Sequence, residues 1–114
     1  MIIEVIGITV PAEIREDFAR DLASFLGPTQ VEPGCLSCIL YQDWSDSSIL
    51  YIESRWDTKD NMVHHIQSDS YKKLIHLMEL GTKPPIVEFH TVCESRGLDF
   101  IQAVRERQNP PIPT

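Results

Sequence analysis

The densest group of side chains capable of chemistry lies between Glu53 and Tyr71. His65 is the candidate catalytic residue of this stretch. A neutral imidazole near pH 7 can take a proton from a phenol and leave an electron-rich phenolate that passes an electron to oxygen. Such chemistry needs no flavin and no metal, because the substrate itself is the reductant. The same sequence also fits a histidine at a helix start that simply packs on Trp56.

Aromatic residues on the strands around His65 could form a wall for a flat substrate. Tyr51 and Phe89 are candidate substrate-binding residues of this kind, together with Trp56. Side chains alternate along a strand, so Tyr51 and Trp56 should point to opposite faces and only some of these rings can share one pocket. Aromatic residues on strands also commonly belong to the core.

Cys35 and Cys38 have the spacing of a redox or zinc pair. Residues three apart on a strand face opposite sides, so we expect the two sulfur atoms to diverge. A zinc site would need two further ligands at matching spacing, and only Cys93 and scattered histidines remain. We therefore expect reduced thiols and no metal, with a peroxide-sensing thiol at Cys35 as a remaining alternative.

Composition narrows the class of protein. The 114 residues carry a formal net charge of -7, which disfavours nucleic acid as a partner, because phosphate binding needs clustered lysine and arginine. No apolar run approaches the roughly 20 residues that span a bilayer. The N-terminus lacks a basic leader and a cleavage site, so we expect a cytoplasmic protein with no membrane partner.

The hydrophobic pattern predicts alternating strands and helices. Gly7 interrupts the first strand, where it indicates a bend or close approach by another group. Ser68 to Ser70 predict a helix break and a fresh N-cap. The predicted elements are strands 2–9, 35–43, 49–56 and 86–94, a helix over 11–26 ended by Gly27 and Pro28, helical segments from Asp57 or Thr58 to Leu80, and a short helix over 98–108.

This order predicts a ferredoxin-like α+β fold, with an antiparallel sheet and helices on one face. The strands carry apolar residues on both faces, so the second face must also be covered. The simplest way to cover this face is to pack it against a second copy of the chain, which predicts a homodimer. Residues 1–96 would form the domain, and residues 97–114 a short C-terminal helix and a proline-rich tail.

Several short motifs follow one another along the chain. They are Pro33 to Cys38, Leu40 to Asp43, Glu53 to Trp56, His65, Ser68 with Tyr71, and Pro84 to Ile86. In this order and spacing they resemble the antibiotic-biosynthesis-monooxygenase-type domain over about residues 1–96. The chain looks like the branch of that family with the Pro-Gly-Cys-Leu-Ser-Cys sequence.

The resemblance implies a dimeric α+β barrel, in which two protomers pack sheet to sheet and each keeps a pocket between sheet and helices. Trp56 and His65 match the family's tryptophan and pocket histidine, and Tyr71 joins the substrate-binding candidates. The haem-degrading branch uses an asparagine in the first strand, and residues 2–9 contain none. The implied function is a cofactor-independent monooxygenase acting on a quinol or polycyclic phenol. The alternative is a non-catalytic module, for small-molecule binding or stress response, that holds an aromatic or apolar ligand in the same pocket.

Overall fold

The computed structural model describes residues 1–107. Four antiparallel strands form one sheet in the order β2-β3-β1-β4, which is the ferredoxin-like arrangement that the sequence predicts. A 3₁₀ turn at Ala12–Ile14 precedes the first helix. The elements are β1 (Ile2–Thr9), α1 (Arg15–Ala23), α2 (Leu26–Gln30), β2 (Cys35–Gln42), β3 (Ile49–Trp56), α3 (Lys59–Ile66), α4 (Asp69–Glu79), β4 (Ile86–Thr91) and α5 (Leu98–Glu106).

The core lies between one face of the sheet and the helices. On β1 this face carries Ile6 and Ile8, which stand opposite Ile52 and Leu50 of β3. Leu22 of α1 packs against the same cluster and is fully buried. A smaller cluster under α3 contains Ile2, Trp56 and Met62. The alternation of buried and less buried residues along β1 and β3 therefore sets which side chains face the helices.

The predicted single helix over residues 11–26 is interrupted in the structure. After the 3₁₀ turn, α1 ends at Ala23, and α2 begins at Leu26. Pro28 does not end a helix, since it lies in the first turn of α2, where its missing N–H group leaves no hydrogen bond unmade. Phe25 stands between the two helices and becomes the N-cap residue of α2.

The predicted break between α3 and α4 is confirmed. Thr58 caps α3 by accepting a hydrogen bond from the backbone N–H of Asn61 at 3.2 Å. Ser68 caps α4 by accepting one from the backbone N–H of Tyr71 at 3.4 Å. Each cap satisfies a backbone donor that the first helical turn leaves free. The break places His65 in the last turn of α3 and Tyr71 in the first turn of α4.

A β-bulge near the start of β2 changes the orientation of the cysteines. Cys35 stands opposite Trp56 and Ser37 opposite Arg55, so Leu36 is an extra residue on this strand. Cys38 is then paired with Ser54 and lies on the same face as Cys35. The prediction that the two cysteines face opposite sides is therefore wrong, because it assumed a regular strand.

The other face of the sheet is not covered by the described chain. Ile39 is 49% exposed there. Gly7 is paired without a bulge, and a Cβ atom at this position would lie 2.7 Å from Cε1 of Tyr51. Gly7 therefore makes room for a neighbouring ring. The homodimer remains a prediction.

The C-terminal elements are shorter than the sequence predicts. β4 ends at Thr91 instead of residue 94, and α5 ends at Glu106. The end of the predicted last helix at residue 108 and the proline-rich tail lie outside the described residues. The division of the chain at residue 97 remains a prediction.

Candidate functional site

His65 lies in a buried cluster beneath the helices. Its side chain is 5% exposed. The ring of Trp56 stacks on the imidazole, with ring centroids 4.5 Å apart and planes 28° apart. Tyr71 meets the imidazole edge-on, with centroids 5.1 Å apart. Two aromatic rings therefore fix the plane of the imidazole, and polar contacts in that plane decide its chemistry.

Two carboxylates flank the imidazole of His65. Oε2 of Glu32, in the turn between α2 and β2, lies 2.7 Å from Nδ1. Oε1 of Glu4, on β1, lies 3.7 Å from Nε2, which is too long for a direct hydrogen bond. Burial alone would lower the pKa of His65, but the interactions with Glu4 and then Glu32 outweigh it, and the pKa is raised. The two carboxylates therefore favour the protonated imidazolium, whereas the sequence analysis assumed a neutral imidazole near pH 7.

Glu4 is the centre of a buried hydrogen-bond network. Tyr71 Oη donates to Glu4 Oε2 at 2.9 Å, and Ser54 Oγ donates to Glu4 Oε1 at 3.2 Å. Trp56 Nε1 in turn donates to Ser54 Oγ at 2.8 Å. Glu4 is only 2% exposed, and a buried carboxylate is costly unless donors surround it. The network therefore holds the carboxylate of Glu4 3.7 Å from Nε2 of His65, the ring nitrogen that Glu32 does not contact.

The strand register explains why these groups meet. Glu4 of β1 stands opposite Ser54 of β3, so both side chains point to the helix face. Trp56 follows two residues later on the same face, beside Ser54. Burial and the negative charge of Glu4 raise the pKa of Tyr71, so its hydroxyl stays protonated and keeps donating to Glu4.

A small cavity adjoins these groups. Its free volume is about 10 Å³, close to the space of one water molecule. Ligand sites usually measure roughly 300–1,000 Å³. An aromatic substrate therefore needs side chains to move before it can reach His65. The cavity lining consists of Glu4, Phe25, Thr29, Cys38, Ile52, Ser54, His65, Ser70, Tyr71 and Leu74.

The structure brings together three of the five predicted site residues. Trp56, His65 and Tyr71 are in contact. Tyr51 lies on the opposite face of the sheet, where its ring stacks on Tyr41 with centroids 5.2 Å apart. Phe89 of β4 stands across from Glu4 but is half exposed and does not line the cavity. We therefore leave Tyr51 and Phe89 out of the proposed site.

Sequence reasoning missed Glu4, Ser54 and Glu32. A signal existed for Glu4, since it is the one charged residue in the apolar run of β1 and lies on the same strand face as Ile6. Ser54 is likewise a polar residue on the otherwise apolar face of β3 that carries Leu50, Ile52 and Trp56. No local signal marked Glu32, which meets His65 only through the folding of a distant turn.

The thiols near the site are not activated. Burial raises the pKa of Cys38 to about 12, and burial is also the main cause of the raised pKa of Cys35. Since the thiolate is the reactive form, these shifts oppose a sensing role for Cys35. Cys35, Cys38 and Cys93 are free. Residues 1–107 contain no group of three or more His, Cys, Asp and Glu side chains placed to hold a metal ion.

Comparison with known proteins identifies the family to which the chain belongs. The family model for antibiotic biosynthesis monooxygenase matches residues 1–77. The chain therefore belongs to the antibiotic biosynthesis monooxygenase family, as its motifs indicated. The assignment to the Pro-Gly-Cys-Leu-Ser-Cys branch stays a prediction.

Solved structures support the fold. A candidate antibiotic biosynthesis monooxygenase from Deinococcus radiodurans is 19% identical, with a TM-score of 0.79 over 86% of this chain and 98% of that protein. A conserved protein from Methanosarcina mazei Go1 is 25% identical, with a TM-score of 0.71 over 79% of this chain and 91% of that one.

A curated relative covers a similar part of the chain. An uncharacterized protein of Synechocystis sp. is 27% identical over 94 residues, which is 81% of this chain. The match spans only 63% of the relative's own length. Within residues 1–107, no helix combines the length and the apolar character that crossing a bilayer requires.

Proposed function

We propose that the chain is a cofactor-independent monooxygenase that oxidises a quinol or a polycyclic phenol at His65. The observation that carries this proposal is the buried imidazole, held between the carboxylates of Glu32 and Glu4 beside a small cavity. Buried titratable groups with charged partners are typical of functional sites. Family membership supports the oxygenase chemistry, and the substrate class rests on the chemistry of the imidazole.

The first step is removal of the phenolic proton by Nε2 of His65. Glu32 accepts a hydrogen bond from Nδ1–H at 2.7 Å, which leaves Nε2 as the basic nitrogen. Glu4 then stabilises the imidazolium that forms, since its Oε1 lies 3.7 Å from Nε2. The raised pKa makes His65 a stronger base once it is deprotonated. The rate should therefore rise as the pH passes the raised pKa.

The substrate supplies the electrons for the oxygen step. The phenolate passes an electron to O₂, and the two radicals combine at a ring carbon. For an anthrone, whose reacting carbon is a CH₂ group, one oxygen atom becomes the new carbonyl oxygen and the other leaves as water. The CH₂ carbon gives up four electrons and two protons, so the balance closes without another reductant.

Trp56 and Tyr71 act through their neighbours in this scheme. Trp56 is fully buried and backs the imidazole, so it sets the ring plane without lining the cavity. Tyr71 orients Glu4 through its hydroxyl. We also propose the homodimer, because Ile39 and Tyr41 remain 49% and 41% exposed on the uncovered face of the sheet. A cytoplasmic location stays a prediction.

The second candidate function is a non-catalytic binding module. The hydrogen bonds around Glu4 favour it, since a satisfied buried network can serve structure alone. The discriminating result is saturable binding of an aromatic ligand with no product.

Oxygen uptake with a panel of hydroquinones and anthrones tests the proposal. We expect uptake that needs the protein, needs no added flavin and is lost in His65→Ala. His64→Ala is the matched control, because His64 neighbours it on α3 but is exposed, and should keep the wild-type rate. Equal uptake by His65→Ala and wild type would contradict the role of His65. Uptake only with flavin would contradict the mechanism.

A further inference from the structure

A second concave surface lies on the outer side of the helix layer, between α1 and α4. This groove has a volume of about 410 Å³, which falls within the usual range for ligand sites. It is far larger than the cavity beside His65. The groove is lined by Asp21, Ser24, Phe25, Lys72, Lys73, His76 and Leu77.

Among residues 1–107, Phe25 is the one residue that lines both the groove and the cavity. On α4 the residues divide cleanly, with Leu74 facing the cavity and Leu77 facing the groove. The half-buried ring of Phe25 therefore closes the gap between the helices and separates a space that can hold a ligand from one that cannot.

We propose that Phe25 is the gate through which an aromatic ligand passes from the groove to His65. Rotation of the ring joins the two spaces, so part of the ligand can remain in the groove while its hydroxyl reaches Nε2. The proposal rests on the proposed function for its destination. It goes beyond that function by naming the route and the residue that limits the size of the substrate.

The surrounding contacts assign the movement to the side chain. The backbone N–H of Phe25 donates to the carbonyl of Leu22 at 3.0 Å, and its carbonyl accepts from the N–H of Thr29 at 3.0 Å. These bonds hold the backbone on both sides. The ring itself turns about two torsions and borders open space in the groove. Side chains next to solvent change rotamer far faster than helices move.

Chemical access to His65 tests the gate without any need for turnover. Diethyl pyrocarbonate acylates unprotonated imidazole nitrogens, and peptide mass spectrometry measures its rate at each histidine. We expect modification of His65 to be several-fold faster in Phe25→Ala than in wild type at one fixed pH. Exposed His64 serves as the internal reference and should react at the same rate in both.

Leu77→Ala is the matched control variant. It removes a large apolar side chain from the groove but leaves Phe25 in place. We expect it to leave access to His65 unchanged, although its cost in stability should be comparable. Equal acceleration in both variants would mean that His65 is reached by local unfolding, and would overturn the proposal. So would an unchanged rate in Phe25→Ala.

A second variant covers the case in which Phe25→Ala does not fold. Phe25→Trp puts a larger ring between the groove and the cavity and should slow the modification of His65. Thermal unfolding checks that this variant is folded. A faster rate in a folded Phe25→Trp would overturn the proposal. The access experiment does not depend on oxygen uptake. A wild-type protein without turnover would therefore contradict the proposed function without contradicting the gate.

Discussion

Replacing Glu4 by glutamine should lower the pKa of His65. The substitution keeps the shape of the side chain and removes the charge that lies 3.7 Å from Nε2. Glu4 is the larger of the two carboxylate influences that raise this pKa. Glu32 remains in place, so the histidine keeps one acidic partner and its contact through Nδ1.

The size of the shift follows from the distance. Coulomb's law with an effective dielectric constant of about 20 gives about 4.5 kcal/mol for unit charges 3.7 Å apart. One pKa unit corresponds to about 1.4 kcal/mol, so the upper limit is about three units. Both charges are spread over several atoms, and a nearby opposite charge commonly shifts a pKa by about one to three units. We expect a downward shift within that range.

Imidazole NMR titration of wild type and Glu4→Gln measures the shift directly. Glu88→Gln is the matched control, because it removes an exposed carboxylate 3.3 Å from the ring of His90 and should leave His65 unchanged. A pKa of His65 that stays the same or rises in Glu4→Gln would refute the electrostatic reasoning. Thermal unfolding confirms that each variant is folded.

The same shift should appear in stability. A histidine with a raised folded-state pKa stabilises the protein fully below its unfolded pKa, near 6.5, and this stabilisation disappears as the pH rises through the folded pKa. The difference in free energy of unfolding between wild type and Glu4→Gln should thus be largest at about pH 5–6.5 and smaller at higher pH. Urea unfolding at several pH values measures it. A difference that grows with pH would contradict the sign.

Three further predictions concern the network and the sheet. Tyr71→Phe removes a donor to Glu4 and should lower the free energy of unfolding by about 1.5–3 kcal/mol, measured with urea; no loss would show that the hydrogen bond contributes nothing. Gly7→Ala places a Cβ atom 2.7 Å from the Tyr51 ring and should cost about 1–3 kcal/mol in the same assay, whereas an unchanged midpoint would contradict this close contact. Wild type should sediment at twice the 13.0 kDa chain mass and Ile39→Asp at the chain mass; a monomeric wild type would remove the homodimer.

The sequence predicts the fold well because its signals are local. The β-branched run of β1, the alternating pattern of β3 and the caps at Thr58 and Ser68 each depend on a few neighbouring residues. The errors arise where local rules compete. Pro28 indicates a helix end by its type, yet it is compatible with the first turn of a new helix. The bulge at Leu36 leaves no clear mark in the sequence.

The site is predictable only in part, because it depends on pairing between distant elements. His65 and Trp56 are found from their types and spacing. Glu4 joins them through the register of β1 on β3, which a single strand does not reveal. The contact of Glu32 with His65 joins two segments that no local pattern connects. Burial alone would lower the pKa of His65, and the two carboxylates raise it instead. The direction of this shift therefore depends on tertiary structure.

Anaerobic absorbance titration tests most directly whether His65 takes the phenolic proton. The ligand is a hydroxyanthrone that wild type oxidises in air, and oxygen is excluded so that proton transfer is seen alone. We expect the phenolate band to appear when the ligand binds to wild type or to His64→Gln, and to be absent when it binds to His65→Gln. A phenolate band of equal strength in His65→Gln, or no band in wild type, would contradict the mechanism.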